Sequence, residues 1–151
     1  MSSNKKGYFQ GFYTPLNPKK YKGTMPIIYR SSLEYHFSRF CDVNKKIIEW
    51  GSESNIIPYV KPVDGKVHRY YVDYYIVFEY NGKREKFLIE IKPYKQTILP
   101  TRGKKRNKTI LHEQLAYAIN QSKWESAERY AKSRGWTFKV ITENDLGLGK
   151  I

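Results

Sequence analysis

Three residues near the middle of the chain have the types and spacing to act together on a bound group: Asp73, Glu90 and Lys92. Asp73 stands in a run of strand formers, Arg69–Tyr80, and Glu90 and Lys92 end a second run, Lys83–Ile91, that continues to Lys92. Between the runs lies Asn81-Gly82, the strongest short-range signal for a two-residue hairpin turn. Such a turn sets Tyr80 against Lys83 and, counting back along both strands, Asp73 against Glu90. Directly opposed residues have Cβ atoms roughly 4.5–5.5 Å apart. Glu79 then meets Arg84, an opposite-charge pair. The other face carries Val72, Tyr74, Ile76 and Phe78 against Phe87, Ile89 and Ile91, a coherent core surface.

Two opposed carboxylates repel and weaken a sheet. A shared proton would relieve them, and so would a divalent cation, because hard ions such as Mg²⁺ take one or two carboxylates and fill their remaining positions with water or phosphate oxygen. Lys92 lies two residues beyond Glu90 and points to the same face. The bland alternative is a surface charge cluster in a lysine-rich chain.

The elements around this hairpin follow from local pattern. Ser31-x-x-Glu34 reads as a capping box, and Leu33, Phe37, Phe40 and Cys41 then recur at helical spacing. In that box Glu34 would accept from the Ser31 amide. Ile47–Trp50 reads as a short strand, Gly51-Ser52 as a turn, and Ile56–Val60 as a further strand, at an edge or irregular because of Pro58. Pro93 ends the hairpin, and residues 94–108 form a polar, basic loop. A helical region over Thr109–Arg134 draws apolar positions from Leu111, Leu115, Ala118, Ile119, Ala127, Tyr130 and Ala131. Ser122-x-x-Glu125 would split it in two if it caps a second helix. Gly135 is a plausible stop, Trp136–Thr142 alternates as a strand, and Thr142-x-x-Asp145 opens a last turn. The order is α-β-β-β-α-β, an α/β fold with a mixed sheet flanked by helices.

Residues 1–28 are set apart as a basic, aromatic arm, with 29–151 as one domain. Pro15, Pro18 and Pro26 argue against helix in the arm, and Lys19, Lys20 and Lys22 suit either DNA or a protein partner.

Composition narrows the partner. Twenty-eight Lys+Arg against 14 Asp+Glu give a formal net charge of +14 in 151 residues, a field that points to a polyanion such as DNA. Thr101–Lys108 holds Arg102, Lys104, Lys105, Arg106 and Lys108. Directly after the carboxylate strand, this run either clamps a nucleic-acid backbone or is a solvated loop. The apolar stretch at Tyr74–Phe78 is far too short to span a membrane, and no apolar stretch follows Lys5 and Lys6 as a secretory signal would require. The lone Cys41 fits a reducing cytoplasm, and His36, His68 and His112 lack zinc spacing.

Aspartate in one strand followed by Glu90-Ile91-Lys92 in the next resembles the PD-(D/E)xK nucleases, with Val72 in place of the usual proline. Tyr29–Phe40 (YRSSLEYHFSRF) and Arg134–Leu146 (RGWTFKVITENDL) resemble the endonuclease subunit of Tn7-like transposases. Size and composition are closer still to the head-completion nucleases of T-even-type bacteriophages. The resemblance covers most of residues 29–146. It implies a restriction-endonuclease-like sheet and Mg²⁺-dependent hydrolysis of double-stranded DNA, with Mn²⁺ as a substitute. Asp73, Glu90 and the Ile91 carbonyl would hold the metal, Lys92 would orient water or offset charge on the phosphate, and Glu34 would join from the helix. Gln114 would touch the phosphate or the metal's waters, unless it is an ordinary polar helix residue. The implied setting is phage DNA processing in the host cytoplasm or on the virion, with portal, neck or other head-completion proteins as partners. The competing readings are a transposon-end or restriction-type endonuclease, and a non-catalytic DNA-binding protein of the phage head or neck.

Overall fold

The computed structural model describes residues 9–148, so the ends of the expected arm and domain lie outside the described residues. In chain order the elements are β1 (Gly11–Tyr13), β2 (Ile27–Tyr29), α1 (Ser32–Val43), β3 (Ile47–Val60), β4 (Val67–Tyr80), β5 (Lys83–Ile91), α2 (Asn107–Ser133) and β6 (Thr137–Ile141). The main sheet runs β3-β4-β5-β6, antiparallel except for the parallel pair β5 and β6. From α1 onward this is the expected α-β-β-β-α-β order, and the fold is restriction-endonuclease-like.

The central hairpin follows its sequence closely. Asn81 and Gly82 have φ of 52° and 76°, as a primed two-residue turn requires, and Tyr80 pairs with Lys83. The ladder runs in that register to Tyr74 opposite Ile89.

Two local readings are corrected. The turn expected at Gly51-Ser52 is absent, and β3 is one strand of 14 residues. Its register slips between Ser52 and Asn55, opposite Tyr74 and Val72, so that Glu53 and Ser54 bulge against Asp73. Gly51 serves packing and not chain reversal, since a Cβ there would lie 2.4 Å from the Tyr75 ring. The second correction concerns faces. Val72 does not join Tyr74, Ile76, Ile89 and Ile91; it packs in the opposite core. The alternation breaks at Asp73, across from the bulge, where a strand twists and bends most.

Two apolar layers cover the sheet. Leu33, Phe37 and Cys41 of α1 pack with Trp50, Tyr74 and Ile89. Trp124, Ala127 and Ala131 of α2 pack with Ile57, Tyr70 and Leu88 on the other side. Helix α2 is continuous; Ser122 donates to the Val60 carbonyl at 2.7 Å and caps nothing. At 1.5 Å per residue the helix is roughly 40 Å long, so its first half overhangs the sheet. Leu111 and Leu115, expected to face the core, are therefore exposed. Gly135, with φ of 74°, ends the helix as read.

Residues 9–29 contribute to the first core. β1 and β2 pair antiparallel, and Tyr13, Tyr21 and Ile27 are buried against α1 and Trp50. Asp42, at the end of α1, fastens this segment. Its carboxylate accepts from the Tyr13 hydroxyl (2.6 Å) and the amides of Leu16 (2.7 Å) and Asn17 (2.9 Å). Lys20 donates to the carbonyls of Cys41, Asp42 and Asn44, the unpaired end of α1. That engagement makes Lys20 a helix clamp and removes it from the set of lysines available to a polyanion.

Candidate active site

The hairpin brings its two carboxylates together by a route the simple register did not contain. One step past Tyr74 and Ile89 the backbone pairing stops, and Asp73 Oδ2 accepts the Ile91 amide at 2.8 Å. The side chain takes the place of the ladder bond, which sets its carboxyl beside Glu90. Glu90 is buried. Its Oε1 accepts the Tyr70 hydroxyl at 2.6 Å, and its Oε2 lies 3.4 Å from Lys92 Nζ. Asp73, from the middle of β4, thus converges with Glu90 and Lys92 at the end of β5.

Charge is poorly relieved there. Burial, then repulsion from Glu90, holds the Asp73 carboxyl well above the usual carboxylate range, against the pull of the Ile91 amide and Lys92. Burial and the adjoining Glu90 also push the Tyr70 phenol far up, so Tyr70 stays protonated and acts as a donor.

Helix α1 approaches from the first core. Ser31 caps it, accepting the Glu34 amide at 3.1 Å. The reciprocal half of the capping box differs from the expectation, because Glu34 Oε1 accepts the Arg30 amide (3.0 Å) and not that of Ser31. Tyr74 donates to the Glu34 carbonyl at 3.1 Å and shares a 2.8 Å bond with Ser38, which ties this turn to the strand carrying Asp73. Burial raises the Glu34 carboxyl, with added repulsion from Glu53 and Glu90 that its bond to the Arg30 amide opposes. Glu34 therefore borders the pair, with one oxygen already engaged.

Tyr70, Glu53, Arg30 and Lys123 also surround the site, and none of them stands out in the sequence. Tyr70 was hidden by the break in alternation at Asp73. Glu53 sits on the bulge at φ 52° and pairs with the Arg30 guanidinium. A strand residue forced to positive φ beside paired carboxylates is the local signal, and it is visible only in the backbone. Lys123 enters from α2, half-buried, its ammonium 5.7 Å and 5.6 Å from the ring centres of Tyr59 and Tyr70. Burial lowers its pKa; Glu90 and Asp73 pull it up, while Lys92 and Lys61 push it down. Gln114 is exposed, its side chain makes no hydrogen bond among the described residues, and it stands roughly 13 Å along the helix from Lys123.

Arg102, Lys104, Lys105 and Arg106 are exposed in the loop that leads into α2, and Lys108, expected in that loop, is exposed on the first turn of the helix. Lys105 already pairs with Glu113 at 2.6 Å. Between this loop and the overhanging half of α2 lies a groove of about 510 Å³ lined by Lys95, Gln96, Ile98, Lys105, His112 and Tyr117 among others.

Among the described residues no three side chains of His, Cys, Asp or Glu converge as a ready metal cage. The donor set nevertheless fits one kind of ion. Two carboxylates in a poorly hydrated site, with few compensating charges, suit a hard divalent cation that keeps water or phosphate oxygens as its other ligands.

The mixed sheet in α-β-β-β-α-β order, with two carboxylates and a lysine where the β4–β5 ladder ends, has the architecture of the restriction-endonuclease-like class. The family described as TnsA-like endonuclease N terminal matches residues 44–143. The chain belongs to this endonuclease family. It is also 36% identical over 146 residues to the head completion nuclease of Enterobacteria phage T4, covering 91% of this chain and 93% of that protein. No solved structure matches it.

Proposed function

We propose that this protein is a divalent-metal-dependent DNA endonuclease that hydrolyses phosphodiester bonds during completion of a phage head. The observation that carries the reading is the convergence of Asp73, Glu90 and Lys92 on one side of the hairpin, with Glu90 fixed by Tyr70. Family membership and the 36% identical head completion nuclease support the reaction and its setting.

Asp73 and Glu90, with the Ile91 carbonyl, would hold Mg²⁺ or Mn²⁺. A metal bound there supplies Lewis acidity, polarising the scissile phosphate and lowering the pKa of an attacking water. The chain's own groups do the rest. Tyr70 orients Glu90 by occupying Oε1. Lys92, close to Oε2, offers its ammonium to charge developing on the phosphate. Glu34 lines the approach from α1, and Gln114, exposed on α2, would meet the DNA outside the site. Arg102, Lys104, Arg106 and Lys108 would neutralise backbone phosphates, with Lys105 partly committed to Glu113. Other head-completion or portal proteins would bring the enzyme to its DNA in the host cytoplasm or on the virion. No helix among the described residues is long and apolar enough to cross a membrane.

The test is incubation with supercoiled and linear double-stranded DNA in Mg²⁺, Mn²⁺ or EDTA. Cleavage in either metal and none in EDTA is expected. Salt-sensitive binding without cleavage in any metal would favour a non-catalytic DNA-binding head protein.

A further inference from the structure

We propose that Lys123 is a second catalytic cation, held by Tyr59 and Tyr70 to contact the scissile phosphate from the side opposite α1. The inference rests on the nuclease reading above and adds a residue that neither the hairpin nor its motif contains.

Three observations carry it. Lys123 is on α2, a different element from the hairpin, yet its ammonium stands over the ring of Tyr70, whose hydroxyl binds Glu90. One side chain thereby sets the position of both a carboxylate and a cation. Second, the Lys123 ammonium forms no ion pair among the described residues, although the charges of Glu90 and Asp73 reach it. A half-buried lysine with two carboxylates nearby and no salt bridge has donors to spare for an anion that enters between them. Third, the positive charges of Lys92 and Lys61 also act on it. Like charges brought together at a partly dry site are stabilised by a bound polyanion, and phosphate is the polyanion the +14 chain attracts.

The Lys123 ammonium already stands over two aromatic rings, so the site needs little rearrangement when phosphate arrives. Arginine would keep the charge and the stacking; methionine would keep the stem and lose the charge.

The test compares wild type, Lys123→Met and Lys123→Arg in steady-state cleavage of duplex DNA with Mg²⁺. Thermal unfolding reports on the fold. Duplex affinity against salt is measured without metal in an Asp73→Asn background with and without Lys123→Met. Lys123→Met is expected to lower kcat about 100-fold, the scale of losing one preorganised donor to transition-state charge. Lys123→Arg should recover most of that loss. The salt slope should fall by about 0.9 for the one phosphate contact removed. Unchanged kcat in Lys123→Met overturns the proposal. So does equal loss in Met and Arg variants with an unchanged salt slope, which would mark Lys123 as a packing residue. If Lys123→Met does not fold, Lys123→Gln takes its place in the same comparison. If the wild type cleaves nothing in any metal, the nuclease reading fails, while the salt slope still reports whether Lys123 touches a phosphate.

Discussion

Tyr70 donates its hydroxyl hydrogen to Glu90 Oε1 at 2.6 Å, and both side chains are buried. That bond fixes one carboxylate oxygen and leaves the other facing Lys92.

Tyr70→Phe should therefore act on metal use as well as on the fold. A buried hydrogen bond to a charged group contributes about 1.5–3 kcal/mol, and chemical denaturation should show a loss of that order. The metal concentration giving half-maximal cleavage should rise as well, because Glu90 loses its orientation. An unchanged metal requirement would mean that Tyr70 only packs.

Asp73→Asn should trade activity for stability. Burial and Glu90 raise the Asp73 carboxyl. Above the unfolded value of about 3.9, the folded chain then holds more protons than the unfolded chain, so stability falls as pH rises toward the folded value. Asparagine removes the charge and keeps an acceptor for the Ile91 amide. In EDTA at neutral pH the variant should melt higher than wild type, by about 2–4 °C per kcal/mol gained. The gap should close as pH is lowered toward the unfolded value.

The Asp42 clasp should behave in the opposite sense. Burial alone would raise this carboxyl, but bonds from Tyr13, Leu16 and Asn17 outweigh it and hold it below the usual value. A depressed folded value contributes stability that is fully present above about pH 3.9 and is lost as pH falls through the folded value. Asp42→Ala should cost about 3 kcal/mol, since it orphans the buried Tyr13 hydroxyl and two part-buried amides. Its melting temperature should also vary less with acid than that of the wild type.

The basic loop should show itself in salt dependence. Replacing Arg102, Lys104, Arg106 or Lys108 with Ala should each reduce the slope of log affinity against log salt by about 0.9 if that residue meets a phosphate of duplex DNA. Lys105→Ala should change it less, because Glu113 already holds that ammonium at 2.6 Å.

These predictions divide along the line between what local pattern encodes and what packing decides. Asn81-Gly82 fixes its turn through backbone conformation, so the hairpin and its register as far as Tyr74 and Ile89 were legible from residue order, whereas the bond from the Ile91 amide that sets Asp73 beside Glu90 was not. The Ser31 cap was legible for the same reason. The bulge at Glu53 was not, because Gly51-Ser52 is spelled like a turn while the glycine answers to the Tyr75 ring on the next strand. That bulge moves Val72 and Tyr70 to the opposite face, which is why Tyr70 escaped notice. Lys123 left no local sign at all. Its role depends on where α2 crosses the sheet, as does the exposure of Leu111 and Leu115 on the overhanging half.

Cleavage of supercoiled DNA by wild type and Asp73→Ala, each with Mg²⁺ and with EDTA, tests the central claim most directly. The account predicts nicking by the wild type in Mg²⁺ alone, and none by a folded Asp73→Ala under either condition. Cleavage that survives in the folded variant would contradict it and move the active site away from the hairpin.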